Sequence, residues 1–238
     1  MSGIEHIPST AYWAEPNPEP RLGVINHVMQ GFQSTMIAWA EQRPYTTPKS
    51  ATFTIGRQGR IVQHVSAWDH SWAAGGVCSP TWALLPANTN PNRVAINIEW
   101  EGFSVDPLSY SYDHLYGEGV DAKGRPMRPW PKAQVDAAVR VHRWLFENGI
   151  VAGEPNGNTI TGHFATDACS RALDPGPFWL ETVRPVIIDA LTGPVFVDPP
   201  PDELPGTGLR LTKLETDVKA LQSLAHTQGH EHGGVVPG

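Results

Sequence analysis

Two residues of metal-ligating type, His163 and Asp174, stand eleven positions apart in TGHFATDACSRALDPGPFW, residues 161–179. The Pro175–Gly176 turn directly behind the aspartate fixes the direction in which its carboxylate leaves the chain. Hydrolytic zinc centres take three ligands from His, Asp or Glu and leave a fourth position for water. Such a metal lowers the pKa of that water and polarises a substrate carbonyl. His27, near the end of the apolar run LGVINHV, completes a set with His163 and Asp174, although ten histidines allow other triples. Cys169 is close enough to His163 in sequence to be a rival ligand, and His226, His230 and His232 form a further metal-like cluster near the end of the chain. A carboxylate, Glu99, lies inside the otherwise apolar VAINIEW, where a charge needs a partner or a job. Glu101 follows it, and since side chains alternate by two along a strand, both carboxylates would share one face.

The elements that must position these groups follow from pattern. Residues 22–28 and 94–100 are apolar, β-branched runs that predict buried strands. ATFTIGRQGRIVQHV, residues 51–65, predicts a hairpin turning between Gly56 and Gly59. Ser34 is the expected N-cap of a helix through Met36, Ile37, Trp39 and Ala40 that stops before Pro44. A second helix is expected over 131–148, with Val135, Ala138, His142 and Leu145 on one face and Gly149 as its stop. A short extended piece at 160–162 and a last helix over 177–191 complete the reading. Residues 67–92 and 102–130 read as loops, the first carrying Trp68, Trp72 and Trp82.

This order predicts an α/β domain over 21–192: a central mixed sheet flanked by helices on both faces, with the metal in a groove at one sheet edge. Residues 1–20, rich in Pro, Glu and Asn, read as an irregular lead-in. VDPPPDELPGTG marks a Pro-rich linker over 193–208. Leu211, Leu214, Val218 and Leu221 then recur at three and four spacing, which predicts a short coiled-coil-like helix over 209–225. A helix so short is marginal alone, so it is expected to self-associate into a homo-oligomer or to fray. Residues 226–238 are expected to be disordered, their histidines binding nothing specific.

Composition bounds the partners. With 238 residues, 40% hydrophobic and nine tryptophans, the chain can fill a core. A formal net charge of −7 without a Lys/Arg cluster argues against nucleic acid as a partner. No run of about 18 apolar residues is present, so no membrane insertion is expected, and the first residues lack the pattern of a signal peptide. Synthesis in a cytoplasm follows as an expectation. Cys78 and Cys169 are 91 positions apart and are expected to be reduced.

Taken in order, LGVINHV, SATFTIGRQGRIVQHV, SWAAGG, VAINIEWEG and TGHFATDACSRALDPGPFW resemble the zinc-dependent N-acetylmuramoyl-L-alanine amidases related to peptidoglycan recognition proteins and amidase-type phage lysozymes. The resemblance covers roughly residues 20–192, and its most specific piece is GH followed by DPG. It implies that fold, one Zn2+ held by His27, His163 and Asp174, and Glu99 assisting the attacking water, with Glu101 kept as the alternative. It also implies bacterial peptidoglycan as substrate, cut between N-acetylmuramic acid and L-alanine. The sequence departs from the family where many members carry lysine, here Ala172, which leaves Arg171 or a backbone N–H as the oxyanion donor. Ala51, Thr52 and Ala73 likewise stand where many members carry Tyr or His. Trp68, Trp72, Trp82 and His64 are the expected groove residues. The role implied is that of a phage endolysin, held in the host cytoplasm and reaching the wall once the membrane is permeabilised. A non-catalytic peptidoglycan-binding domain and a virion-associated structural lysin stay open beside it.

Overall fold

The computed structural model describes residues 3–41, 49–102, 119–120, 126–127, 130–176 and 179–193. The chain divides into two units, Met1–Gly193 and Pro194–Gly238. The expected helix over 209–225, the tail over 226–238 and all of the expected linker but Gly193 lie outside the described residues.

Ten strands and three α-helices are present among these residues. In chain order they are β1 Ile4–His6, β2 Tyr12–Trp13, β3 Gly23–Val28, α1 Gln33–Glu41, β4 Phe53–Ile55, β5 Ile61–Gln63, β6 His70–Ser71 and β7 Ala95–Trp100. Then follow β8 Gly119–Val120, β9 Pro126–Met127, α2 Lys132–Glu147, β10 Ile160–Gly162 and α3 Arg184–Thr192. Six strands form one mixed sheet in the order β1-β5-β4-β7-β3-β10. Only the β4–β5 hairpin pairs antiparallel in it; the other neighbours run parallel.

Alternation along β3 and β7 sorts their residues onto two faces. Val24, Val28, Ile96, Ile98 and Trp100 join one core cluster with Val135, Ala138, Val141 and Leu145 of α2 and Ile187 of α3. Each large apolar side chain buried there contributes about 1.5–3 kcal/mol. Trp100 anchors the cluster edge-on to Trp130 and Trp179, at ring-centroid distances of 5.3 and 6.2 Å. The opposite face carries Ile25, His27, Asn97 and Glu99, with Ile25 and Ala95 packed on Trp82, Ala74 and Ala165. Helix α1 lies over this second face, where Gln33 Nε2 donates to the Thr54 hydroxyl of β4 at 3.1 Å. The mixed sheet with helices on both faces is thus the predicted one.

Several local expectations are corrected. Residues 1–20 are not an irregular lead-in: β1 pairs parallel with β5, and β2 pairs antiparallel with β6. Strands of two and three residues are too short for a periodicity to show. The domain accordingly starts before residue 21. Helix α1 begins at Gln33, so Ser34 lies inside its first turn rather than capping it. The last helix is split into a π-helical turn, Trp179–Val183, and α3, which places Pro185 in a first turn, where its missing N–H costs least. Helix α2 ends as expected at Gly149, whose φ is +64°.

Cys78 and Cys169 are joined in a disulfide, with Cα atoms 5.7 Å apart. The reason is tertiary: Cys78 N–H donates to Thr166 O and accepts Ala168 N–H at its carbonyl, a parallel bridge that lays the two segments side by side. A separation of 91 residues hides that neighbourhood from the sequence.

Candidate metal centre

Strand register builds the site. His27 pairs across to Glu99, which pairs in turn to Thr54, so a histidine and a carboxylate stand side by side on one face. Gly162 pairs with Asn26, so the next residue, His163, emerges from β10 beside His27. The chain then returns through residues 164–174, where Phe164 N–H donates to Asp174 O at 3.0 Å and Asp174 Oδ1 accepts from Val28 N–H at 2.7 Å. One carboxylate oxygen is therefore fixed to β3 and the other, Oδ2, is aimed at the two rings. Gly162 is required for this return, because a Cβ there would lie 2.6 Å from Cδ of Pro175.

His27 Nδ1 lies 3.0 Å from His163 Nδ1, His163 Nδ1 lies 3.0 Å from Asp174 Oδ2, and His27 Nδ1 lies 3.8 Å from that oxygen. Ligands of a tetrahedral zinc at its usual bond lengths stand about 3.3–3.5 Å apart, so this triangle has the size such an ion needs. The donor chemistry also fits. His27 Nε2 meets Asn97 Oδ1 at 3.0 Å, and Asn97 Nδ2 donates to Ser71 Oγ and to Asn92 Oδ1. Asn92 Oδ1 is fixed as an acceptor by the N–H groups of Ala73 and Ala74. Asn97 cannot turn over without losing both donations, so in the neutral ring Nε2 of His27 carries the proton and Nδ1 presents a lone pair to the centre.

The field around the triangle favours a cation. Burial opposes charging of His27, but Asp174 and Glu99 outweigh it and hold its pKa above the usual value. Burial, helped by the charge of His27, holds His163 below. For Asp174, hydrogen bonds from His163 and His27 overcome a burial that works the other way, and its carboxyl is held well below the usual range. Glu99 is half-buried, its inaccessible Oε2 has no hydrogen-bond partner among the described residues, and desolvation pushes its carboxyl up to about 7. Two carboxylates thus act on one another beside the two imidazoles.

These groups form one end of a cleft of about 490 Å³, whose lining includes Trp72, Trp39, Lys49, Gly76 and Arg171. Arg171 belongs to the same field: its charge acts on Glu99 and on His163. Glu101 is occupied elsewhere, accepting Arg57 N–H at 2.8 Å in the hairpin turn. Of the expected groove residues only Trp72 lines the cleft. Trp82 is 5% exposed, packs under the sheet and donates its indole N–H to Asn158 O, because the apolar face of β3 needs cover there. Trp68 is exposed outside the cleft lining. His64 is buried between Thr54 Oγ1 and Ile7 O, where it ties β4 to the segment after β1. Cys169 is withdrawn from competition as a ligand by its disulfide. Asn97 and Asn92 were missed; an asparagine inside the apolar VAINIEW run, two positions before Glu99, was the available signal.

No helix among the described residues is long and apolar enough to cross a membrane. The family model for N-acetylmuramoyl-L-alanine amidase, Amidase_2, matches residues 16–177. Among solved structures, a selenomethionine derivative of AmpD superposes with TM-score 0.53 at 20% identity, over 79% of this chain and 96% of that one. At that identity the likeness shows a shared fold. The PlyG catalytic domain matches with TM-score 0.48 at 16% identity, over 83% and 98% of the two chains. The N-acetylmuramoyl-L-alanine amidase LysC from Clostridium intestinale URNW matches with TM-score 0.47 at 15% identity, over 79% and 98%. Comparison with curated proteins yields no match. The matched stretch contains His27, Glu99, His163, Arg171 and Asp174 together with most of the sheet that aligns them, and the chain belongs to the N-acetylmuramoyl-L-alanine amidase family.

Proposed function

We propose that the chain is a zinc-dependent N-acetylmuramoyl-L-alanine amidase that cuts peptidoglycan, working as a phage endolysin in host lysis. The observation that carries this reading is the convergence of His27 Nδ1, His163 Nδ1 and Asp174 Oδ2 beside Glu99, whose buried Oε2 has no hydrogen-bond partner among the described residues. Zinc, when bound, supplies Lewis-acid polarisation of the lactyl carbonyl and acidifies the attacking water. His27 and His163 stay neutral and hold their lone pairs toward the ion, with Asn97 keeping the His27 proton on Nε2. Glu99 accepts the proton of the water as it adds to the carbonyl carbon. The same carboxyl then gives a proton to the L-alanine nitrogen as the C–N bond breaks, leaving a lactyl acid and a free amine. Arg171, at the cleft wall, stabilises negative charge developing on the carbonyl oxygen, in place of the lysine that Ala172 lacks. The phage role and the action on the wall after membrane permeabilisation rest on the sequence resemblance.

The test is chemical. Purified wall treated with the zinc-loaded protein should gain free L-alanyl amino termini, and EDTA or His163→Ala should abolish the gain. One zinc per chain is expected for the wild type and for Cys169→Ala, and none for Asp174→Ala. Binding of wall without release of amino termini would overturn the enzyme and leave a peptidoglycan-binding module.

A further inference from the structure

The segment around Trp13 precedes residues 16–177 of the family match, yet it builds directly onto the cleft. Pairing of β2 with β6 sets Trp13 opposite His70 and Tyr12 opposite Ser71. Neighbouring residues of a strand point to opposite faces, so Trp13 and not Tyr12 shares a face with what lies beyond. The Trp13 ring centroid is 3.9 Å from that of Trp72, with the planes 43° apart. Trp72 lines the metal cleft, so Trp13 lengthens that wall with a second half-buried indole.

Past Trp13 opens a second cavity of about 320 Å³, lined by Trp13, Ala14, Glu15, His70 and Arg93. The two cavities share their partition. His70 Nδ1 meets Asn92 O at 3.1 Å on the cleft side and His70 Nε2 meets Glu15 Oε2 at 2.7 Å on the other, with Asn92 itself lining the cleft. Glu15 N–H donates to Asp69 Oδ1 at 3.0 Å, which holds the segment in place. The Arg93 guanidinium lies 5.9 Å from the Trp13 ring centroid and is exposed.

An indole face with a carboxylate and a guanidinium beside it matches one ligand chemistry well. The C–H face of a pyranose stacks on the ring, while hydroxyl and acetamido groups take charge-assisted hydrogen bonds. We infer that Trp13, Trp72, Glu15 and Arg93 form a carbohydrate subsite, adjoining the metal cleft across the Trp13–Trp72 contact, that holds a sugar of the glycan strand next to the muramoyl unit being cut. The inference rests on peptidoglycan being the substrate. It gives the segment before the family match a task, which is to lengthen the stretch of glycan the enzyme grips.

Titration of the full chain with peptide-free glycan oligosaccharides of alternating N-acetylglucosamine and N-acetylmuramic acid, followed by tryptophan fluorescence and calorimetry, tests it. These ligands lack the scissile amide, so the readout is independent of amidase activity, which is scored separately on whole wall. The wild type should bind, Trp13→Ala should weaken binding at least tenfold, Trp13→Tyr should recover most of it, and Arg93→Ala should weaken it severalfold. Wild-type affinity in Trp13→Ala with an unchanged thermal midpoint would overturn the subsite. So would a Trp13-dependent affinity for free stem peptide in place of glycan. If Trp13→Ala fails to fold, Arg93→Ala decides: unchanged glycan affinity overturns the inference, severalfold loss supports it. Glycan binding without wall cleavage would sink the amidase reading and leave the subsite standing.

Discussion

Asn26 and His27 are consecutive on β3 and point to opposite faces, and each belongs to a buried asparagine–histidine pair. On the core face, Asn26 Oδ1 accepts Trp100 Nε1–H at 2.9 Å, and its Nδ2 donates to Thr161 O and to His142 Nε2. His142 Nδ1 in turn donates to Ala138 O at 2.8 Å. Every side-chain polar atom of that pair has a partner. On the cleft face, Asn97 is just as fully engaged, but His27 Nδ1 is aimed at a second ring nitrogen and a carboxylate, and Glu99 Oε2 has no partner among the described residues. The two asparagine–histidine pairs are equally buried, so their burial does not mark the site. What separates them is completeness: a closed hydrogen-bond set locks a core, whereas the cleft face brings two ring nitrogens and a carboxylate together with Glu99 Oε2 left without a hydrogen-bond partner among the described residues, the arrangement on which the proposed metal site rests.

The largest test of that contrast removes the unpartnered charge. Glu99→Gln keeps the shape and takes away the base, so kcat should fall by about 10²–10⁴ with one zinc still bound per chain. Wild-type kcat should rise with pH as Glu99 loses its proton, and the variant should lack that limb. A rate within a few-fold of wild type would place the base elsewhere. Glu101 is the poorer substitute, since its carboxylate already accepts Arg57 N–H.

Much of this was legible in the chain, for reasons that differ by residue. Glu99 stood out because a charge in an apolar strand run is costly, whereas His27, His163 and Asp174 were one of the triples that ten histidines allow until the family resemblance singled them out. The two long central strands, the hairpin and α2 followed from periodicity. What stayed hidden depends on contacts between distant segments. The Cys78–Cys169 bridge needs the loop at 78 laid against residues 166–168. Burial of Trp82 needs β3 and β7 above it. The pairings of β1 and β2 give no periodic signal in so few residues. Asn97 was visible as a polar residue in VAINIEW, but its task depends on Asn92 and on the backbone of Ala73 and Ala74.

The core pair makes its own prediction in pH. Burial holds His142 down to about 4, so the folded state keeps it neutral while the unfolded chain takes up a proton below about 6.5. Its contribution to stability is therefore full above pH 6.5, declines as pH falls, and is gone near pH 4; the loss amounts to about 3 kcal/mol. In urea unfolding of the metal-free protein between pH 7 and 4, the stability of wild type relative to His142→Gln should fall by about that amount. A difference that does not vary with pH would mean that His142 is charged in the fold, and that the core pair is not closed.

The finest distinction lies within the cleft pair, between its shape and its proton. Asn97→Leu fills similar space but removes the acceptor that keeps the His27 proton on Nε2, so zinc affinity should weaken by about ten- to a hundredfold. Asn97→Asp keeps an acceptor toward Nε2 and makes it a charged one, which raises the basicity of the ring; it gives up the donations to Ser71 and Asn92. That variant should bind zinc at least as tightly as wild type while losing thermal stability. Equal weakening in both variants would show that Asn97 acts through packing alone. Opposite effects would show that the side chain holds a proton in place, because what separates the two substitutions at His27 is whether an acceptor for its Nε2–H remains.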